Sequence, residues 1–141
     1  MATNREIFGD TSGWAAFFVR TEIAHSDAVA QMRRWQADGV RVVTTNYVIT
    51  ELTALLMRPL RINFARRVQI GETIRTATWV EVVYVDAAID AEAWTLLKQR
   101  GDKNWSLVDC ASFVVMRRRG ITHALTRDHN FEQAGFERLL R

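Results

Sequence analysis

Val40-Arg41-Val42-Val43-Thr44-Thr45-Asn46-Tyr47-Val48-Ile49-Thr50-Glu51-Leu52 changes its period half-way along. Up to Thr45 the run is β-branched and has the composition of a buried strand. Beyond it Val48, Leu52, Leu55 and Leu56 recur at the spacing of one helix face. Asn46, with its short polar side chain, is the expected cap of that helix. Pro59, the only proline, ends it, because the residue before a proline is driven out of the helical region. A buried strand that passes directly into an amphipathic helix is half of a βαβ unit.

The alternation continues in both directions. Upstream, Arg5–Gly9 reads as a first strand, and Ser12 is placed to cap a helix through Trp14, Phe17 and Phe18. A helix over Ser26–Ala37 carries the stripe Ala28, Met32 and Trp35 and stops at Gly39. Downstream follow a helix over Arg61–Thr76 bearing Arg66, Arg67 and Arg75, then a strand over Val80–Val85. Helices are expected over Asp86–Arg100 and Ser106–Arg119, ended by Gly101 and Gly120. A strand over Ile121–Leu125, a short helical turn over His129–Gln133 and an edge strand over Phe136–Leu140 complete the chain. Strands separated by helices specify an α/β fold with a mostly parallel central sheet of four to five strands flanked by helices.

The 141 residues suit a single domain over 1–141, with no repeat, low-complexity tract or linker. Hydrophobic residues make up 48% and charged residues 25%, an ordinary globular balance. Cys110, the only cysteine, excludes an internal disulfide and a thiolate zinc site; among Val108, Ala111 and Phe113 it reads as a small apolar filler. Met1–Asp10 lacks the pattern of a secretory leader, and no apolar run reaches the roughly 18 residues of a membrane span. The expected location is therefore the cytoplasm. The net charge is +3, and 17 of the 19 basic residues are arginine. Arginine forks suit phosphates, although a GC-rich genome also enriches arginine.

Three acids stand in otherwise uncharged company. Asp10 is the only charge between Ile7 and Val19, Glu51 between Val42 and Met57, and Asp109 between Asn104 and Met116. A buried, unpartnered carboxylate costs several kcal/mol or takes up a proton. Carboxylates that converge raise one another's pKa values further. A divalent cation answers both problems. Asp10 follows the first strand, and Asp128 follows the fourth, where open α/β sheets place their ligands. One acid at a helix start is ordinarily a cap or a solvated charge, so on the residues alone an acidic metal site and a coincidence of caps both stand. Oxygen donors without a cysteine cluster or a paired-histidine motif select hard cations, Mg2+ or Mn2+, and metal-assisted phosphodiester hydrolysis.

Four segments carry a family likeness. Gly9-Asp10-Thr11-Ser12-Gly13-Trp14, Thr45–Leu52, Trp105–Phe113 and Thr126-Arg127-Asp128-His129-Asn130-Phe131 resemble, in order, the motifs of PIN-domain ribonucleases. The acids are separated by 41, 58 and 19 residues, and the likeness spans about Glu6 to Leu140. The chain length is similar to that of the VapC-like toxins of toxin–antitoxin pairs.

The resemblance implies a three-layer PIN-like fold and an endoribonuclease. It implies one or two Mg2+ or Mn2+ ions held by Asp10, Glu51, Asp109 and Asp128; Asp102, seven residues before Asp109, is a substitute candidate for Asp128 that reads first as a solvated loop residue. Thr11, Ser12, Asn46 and Thr126 would orient those carboxylates. The helical pair around Pro59 would clip a small antitoxin protein, and a homodimer is one oligomeric option. A PIN-fold adaptor that binds RNA or protein without strong nuclease activity is the alternative. A phosphoryl-transfer receiver domain is disfavoured, because Asp10 has no acidic neighbour and the only lysines are Lys98 and Lys103. Arg117–Arg119 reads as a complement to a helix C-terminus, with RNA phosphates as the other use. Trp14 and Trp105 read as core anchors, with a place on the substrate groove as the other use.

Overall fold

The computed structural model describes residues 5–141; residues 1–4, which begin the stretch read for a leader, lie outside the described residues. In chain order the elements are β1 Glu6–Gly9, α1 Thr11–Phe18, α2 His25–Asp38, β2 Arg41–Thr45, α3 Asn46–Met57 and α4 Phe64–Thr76. They continue with β3 Val80–Val83, α5 Ala87–Gln99, α6 Leu107–Arg119, β4 His123–Leu125, α7 Asn130–Gln133 and β5 Glu137–Arg138. The sheet runs β3-β2-β1-β4-β5, and every pairing in it is parallel. The α/β expectation therefore holds. None of the described helices is long and apolar enough to cross a membrane.

From β1 the chain builds outward through β2 and β3, then returns to the other side of β1 for β4 and β5. This reversal puts a topological switch point between β1 and β4, where strand ends splay into a crevice. Helices α1, α3 and α6 frame that crevice, α1 against both α3 and β4, and α3 against α6. Phe8, Val42, Val43, Ala124 and Leu125 are fully buried in the strands, as continuous apolar runs must be when both faces are covered.

The helix starts refine the sequence reading. Thr45, not Asn46, caps α3 by accepting from Val48 N at 3.1 Å; Asn46 is already helical and its Oδ1 accepts from Val85 N at 2.7 Å, tying down the end of β3. Ser12 does not cap α1 either, since the helix begins one residue earlier. Helix α1 lies so close to β4 that a Cβ at Gly13 would sit 1.9 Å from the Leu125 carbonyl oxygen. Only glycine permits that contact, and it draws the start of α1 onto the carboxyl end of β4.

Candidate metal-dependent active site

Asp10 occupies the cap position of α1, in extended conformation, but its side chain makes no capping bond. The carboxylate instead turns into the crevice, where the residue is only 4% exposed. Its Oδ2 accepts a 2.9 Å hydrogen bond from Thr126 Oγ1, while its buried Oδ1 has no hydrogen-bond partner among the described residues. Burial pushes the carboxyl up to about 7. The charges of Asp109 and Glu51 add to the rise, against the Thr11 backbone and the Thr126 hydroxyl.

Asp109 stands in the first turn of α6. Ser106 and Asp109 form a capping box, with Ser106 N donating to Asp109 Oδ2 at 3.0 Å and Asp109 N to Ser106 Oγ at 3.1 Å. The cap reading of this acid is thus true of one oxygen. Burial again raises its pKa, Ser106 opposes the rise, and Asp128 and Glu51 add to it. Glu51 projects from α3, and its Oε1 accepts from Thr11 Oγ1. Asp128, beyond β4, accepts from Asn130 N through Oδ1 at 2.9 Å. The four acids from four elements therefore share one electrostatic site. Among the described residues no three carboxylates, histidines or cysteines form a ready-made cage for an ion. The unmatched Asp10 Oδ1 is the group such an ion would satisfy.

The supporting hydroxyls form a chain. Thr126, fully buried, gives its one proton to Asp10, so its oxygen accepts from Asp128 N at 2.9 Å and from Ser12 Oγ at 3.1 Å. Ser12 in turn accepts from Arg127 N at 2.8 Å. Behind Asp10, Trp14 Nε1 donates to Thr44 Oγ1, which donates to the Gly9 carbonyl at 2.8 Å. Three of the expected supporting residues thus reach the acids: Thr11 and Thr126 directly, Ser12 through Thr126. Asn46 does not orient a carboxylate: its Oδ1 accepts from Val85 N, and its Nδ2 donates to no acid among the described residues.

The PIN domain family model matches residues 7–137. The chain belongs to the PIN-domain family. Over 130 residues it is 36% identical to the 23S rRNA-specific endonuclease VapC20 of Mycobacterium tuberculosis, in strains CDC 1551 / Oshkosh and ATCC 25618 / H37Rv, covering 92% of this chain and 95% of VapC20. The crystal structure of M. tuberculosis VapC20, described as a Sarcin-Ricin loop cleaving toxin, superposes with a TM-score of 0.83 at 35% identity over 96% of this chain and 99% of that one. FitAcB from Neisseria gonorrhoeae shares the fold, with a TM-score of 0.61 at 18% identity over 93% and 94% of the two chains.

Within this PIN domain the sequence missed one contributor. Asn130 Nδ2 donates to Asp109 Oδ2 at 3.2 Å and lies 3.4 Å from Asp128 Oδ2, joining the third acid to the fourth. The spacing Asp128-His129-Asn130 was the available signal, since an aspartate two residues ahead accepts from the backbone in an Asx turn. Other candidates fall away from the site. Asp102 is exposed and paired with Arg100 and Lys103. Trp14 and Trp105 are buried in the core. Arg118 pairs with Glu92, and Arg119 with Glu6 and Glu81, at the opposite end of the sheet.

Proposed function

We propose that residues 1–141 act as a single PIN-like nuclease domain, a Mg2+- or Mn2+-dependent endoribonuclease and the cytoplasmic toxin of a toxin–antitoxin pair. The observation that carries this reading is Asp10, a buried carboxylate with one unmatched oxygen beside two further acids. Asp10 and Asp109, with Glu51 and Asp128 at the rim, would hold one or two ions. Mg2+ in particular is bound through one or two carboxylates together with waters and substrate phosphates, so an open acidic crevice suits it. The ion, when bound, supplies Lewis acidity to the phosphoryl group under attack. The protein's own residues do the rest: Thr126 and Thr11 hold Asp10 and Glu51 in one orientation, and Asn130 holds Asp109 against Asp128.

The kinship with VapC20 makes 23S rRNA the first substrate to test. The groove of about 330 Å3 between α3 and α4, which includes Ile49, Phe64 and Val68, supports the antitoxin reading. Purified protein is incubated with 23S rRNA and Mn2+, with EDTA as the control. Site-specific scission that EDTA and Asp10→Asn both abolish is the expected result. Intact RNA under all metal conditions, with RNA binding unchanged by EDTA, would replace the nuclease with an adaptor. Expression is expected to arrest growth, and co-expression of a small antitoxin to restore it.

A further inference from the structure

Beside Glu51 the surface opens into a cavity of about 330 Å3 whose walls are Asn46, Tyr47, Thr50, Glu51 and Val108. It adjoins the acidic site through Glu51 and lies at the small end of the roughly 300–1,000 Å3 range of ligand pockets. Two walls are apolar. Val108 comes from the first turn of α6, next to Asp109. Tyr47 is held by its hydroxyl, which donates to Asp90 Oδ1 of α5 at 2.6 Å, so its polar tip is already engaged.

The two polar walls are oriented from behind. Asn46 Oδ1 accepts from Val85 N, which fixes the plane of the amide and leaves Nδ2 as a donor with no partner among the described residues. Thr50 Oγ1 donates its single proton to the Asn46 carbonyl at 2.9 Å, so it faces outward as an acceptor. A fixed donor and a fixed acceptor between apolar walls match the edge and the faces of an unpaired nucleobase.

We infer that this cavity is a nucleobase subsite, in which Asn46 Nδ2 and Thr50 Oγ1 read the edge of a base adjoining the scissile phosphate while Tyr47 and Val108 enclose it. Its place beside a scissile phosphate rests on the nuclease reading above. Asn46 is then a specificity residue rather than a support for the carboxylates.

Single-turnover cleavage is measured on stem-loop RNAs that differ only in the bases flanking the cut. Asn46→Asp keeps the acceptor for Val85 N–H and replaces the donor with an acceptor. It is expected to change the ratio of rates between bases at one flanking position by about tenfold or more, the size of one lost base contact. Val108→Phe fills the cavity and is expected to reduce that preference to within about twofold. A uniform fall in rate with unchanged base ratios in both variants would overturn the subsite and leave the nuclease intact.

In parallel, the side-chain amide resonances of Asn46 are followed by NMR as the same RNAs are added to wild-type protein in EDTA. A shift confined to Asn46 and its neighbours supports the subsite even where no RNA is cleaved, an outcome that sinks only the nuclease reading. An Asn46 amide that stays still while other resonances move overturns the subsite.

Discussion

At the amino end of the sheet, Glu6 and Glu81 meet Arg119 and Arg41; at the carboxyl end, Asp10 and Asp109 feel the charges of other acids, Glu51 and Asp128 among them. Arg119 reaches Glu6 at 2.5 Å and Glu81 at 2.9 Å, and Arg41 reaches Glu81 at 3.2 Å, with all these side chains between about a quarter and a half exposed. The carboxyl end has hydroxyls, an asparagine amide, backbone N–H groups and His129 at 4.0 Å from Asp128, but among the described residues no arginine or lysine bonded to an acid of the site. The same chemical group is paired with a cation at one end and, at Asp10 and Asp109, pushed toward its protonated form at the other. A buried carboxylate in the second arrangement takes up a proton or draws positive charge from outside the protein, and such perturbed groups concentrate at functional sites.

The sharpest way to break this contrast is to remove an acid from the uncompensated end. Asp10→Asn and Asp109→Asn are expected to lower RNA cleavage by more than the roughly 100-fold that loss of a supporting hydrogen bond costs, with circular dichroism unchanged. Asp10→Asn protein that cleaves as fast as wild type would remove Asp10 from the site.

On the proposed metal site, the same acid would make metal and low pH interchangeable as stabilisers. The Asp10 carboxyl sits near 7 when folded and near 3.8 when unfolded, so the folded state holds the proton more tightly. The resulting stability is complete below pH 3.8 and is lost as pH rises towards 7, a change on the order of 4 kcal/mol. In EDTA, Tm is therefore expected to fall over that interval. Mn2+ at pH 8, or Asp10→Asn in EDTA, is expected to restore it. A flat profile with no gain from Mn2+ would mean that Asp10 is compensated from within the protein.

Smaller effects follow one layer out. Thr126→Val removes the proton given to Asp10 Oδ2, and Asn130→Ala the link between Asp109 and Asp128. Each is expected to cost roughly 10–100-fold in metal affinity or rate, read by calorimetry and cleavage. Equal metal affinity in the variants would reduce these residues to packing.

At the compensated end, Arg119→Ala is expected to leave cleavage unchanged and to lower stability by about 1 kcal/mol, less at high salt. A loss of cleavage there would show that the two ends are coupled.

Much of the candidate site was legible because it depends on local composition. Asp10, Glu51 and Asp109 announced themselves as lone charges in apolar windows, and Asp128 by its place after a strand. Thr126 and Thr11 were legible only as members of motifs. For Asn130 only the local turn with Asp128 was legible, because its contact with Asp109 depends on the packing of α6 against α7. Ser12 and Asn46 were each read as caps from their residue type. The capping places belong to Asp10, two residues before Ser12, and to Thr45, one before Asn46, and those shifts sent Ser12 to Thr126 beyond β4 and Asn46 to Val85 beyond β3. Local propensity finds a helix start to within a residue or two, while a hydroxyl's partner depends on that one residue.

The sequence by itself determined the α/β alternation, the apolar strands and the presence of carboxylates that had to be buried, since period and composition act over a few residues. Only the tertiary structure decided that β1 is flanked by β2 and β4, because strand order is set by how whole helices cover the sheet. That order brings Asp10 to the switch point, lets Gly13 press α1 against Leu125, and leaves one carboxylate oxygen buried without a partner. It also separates the two groups of acids, giving Glu6 and Glu81 their arginines and leaving Asp10, Glu51, Asp109 and Asp128 to hydroxyls, an asparagine amide and backbone N–H groups.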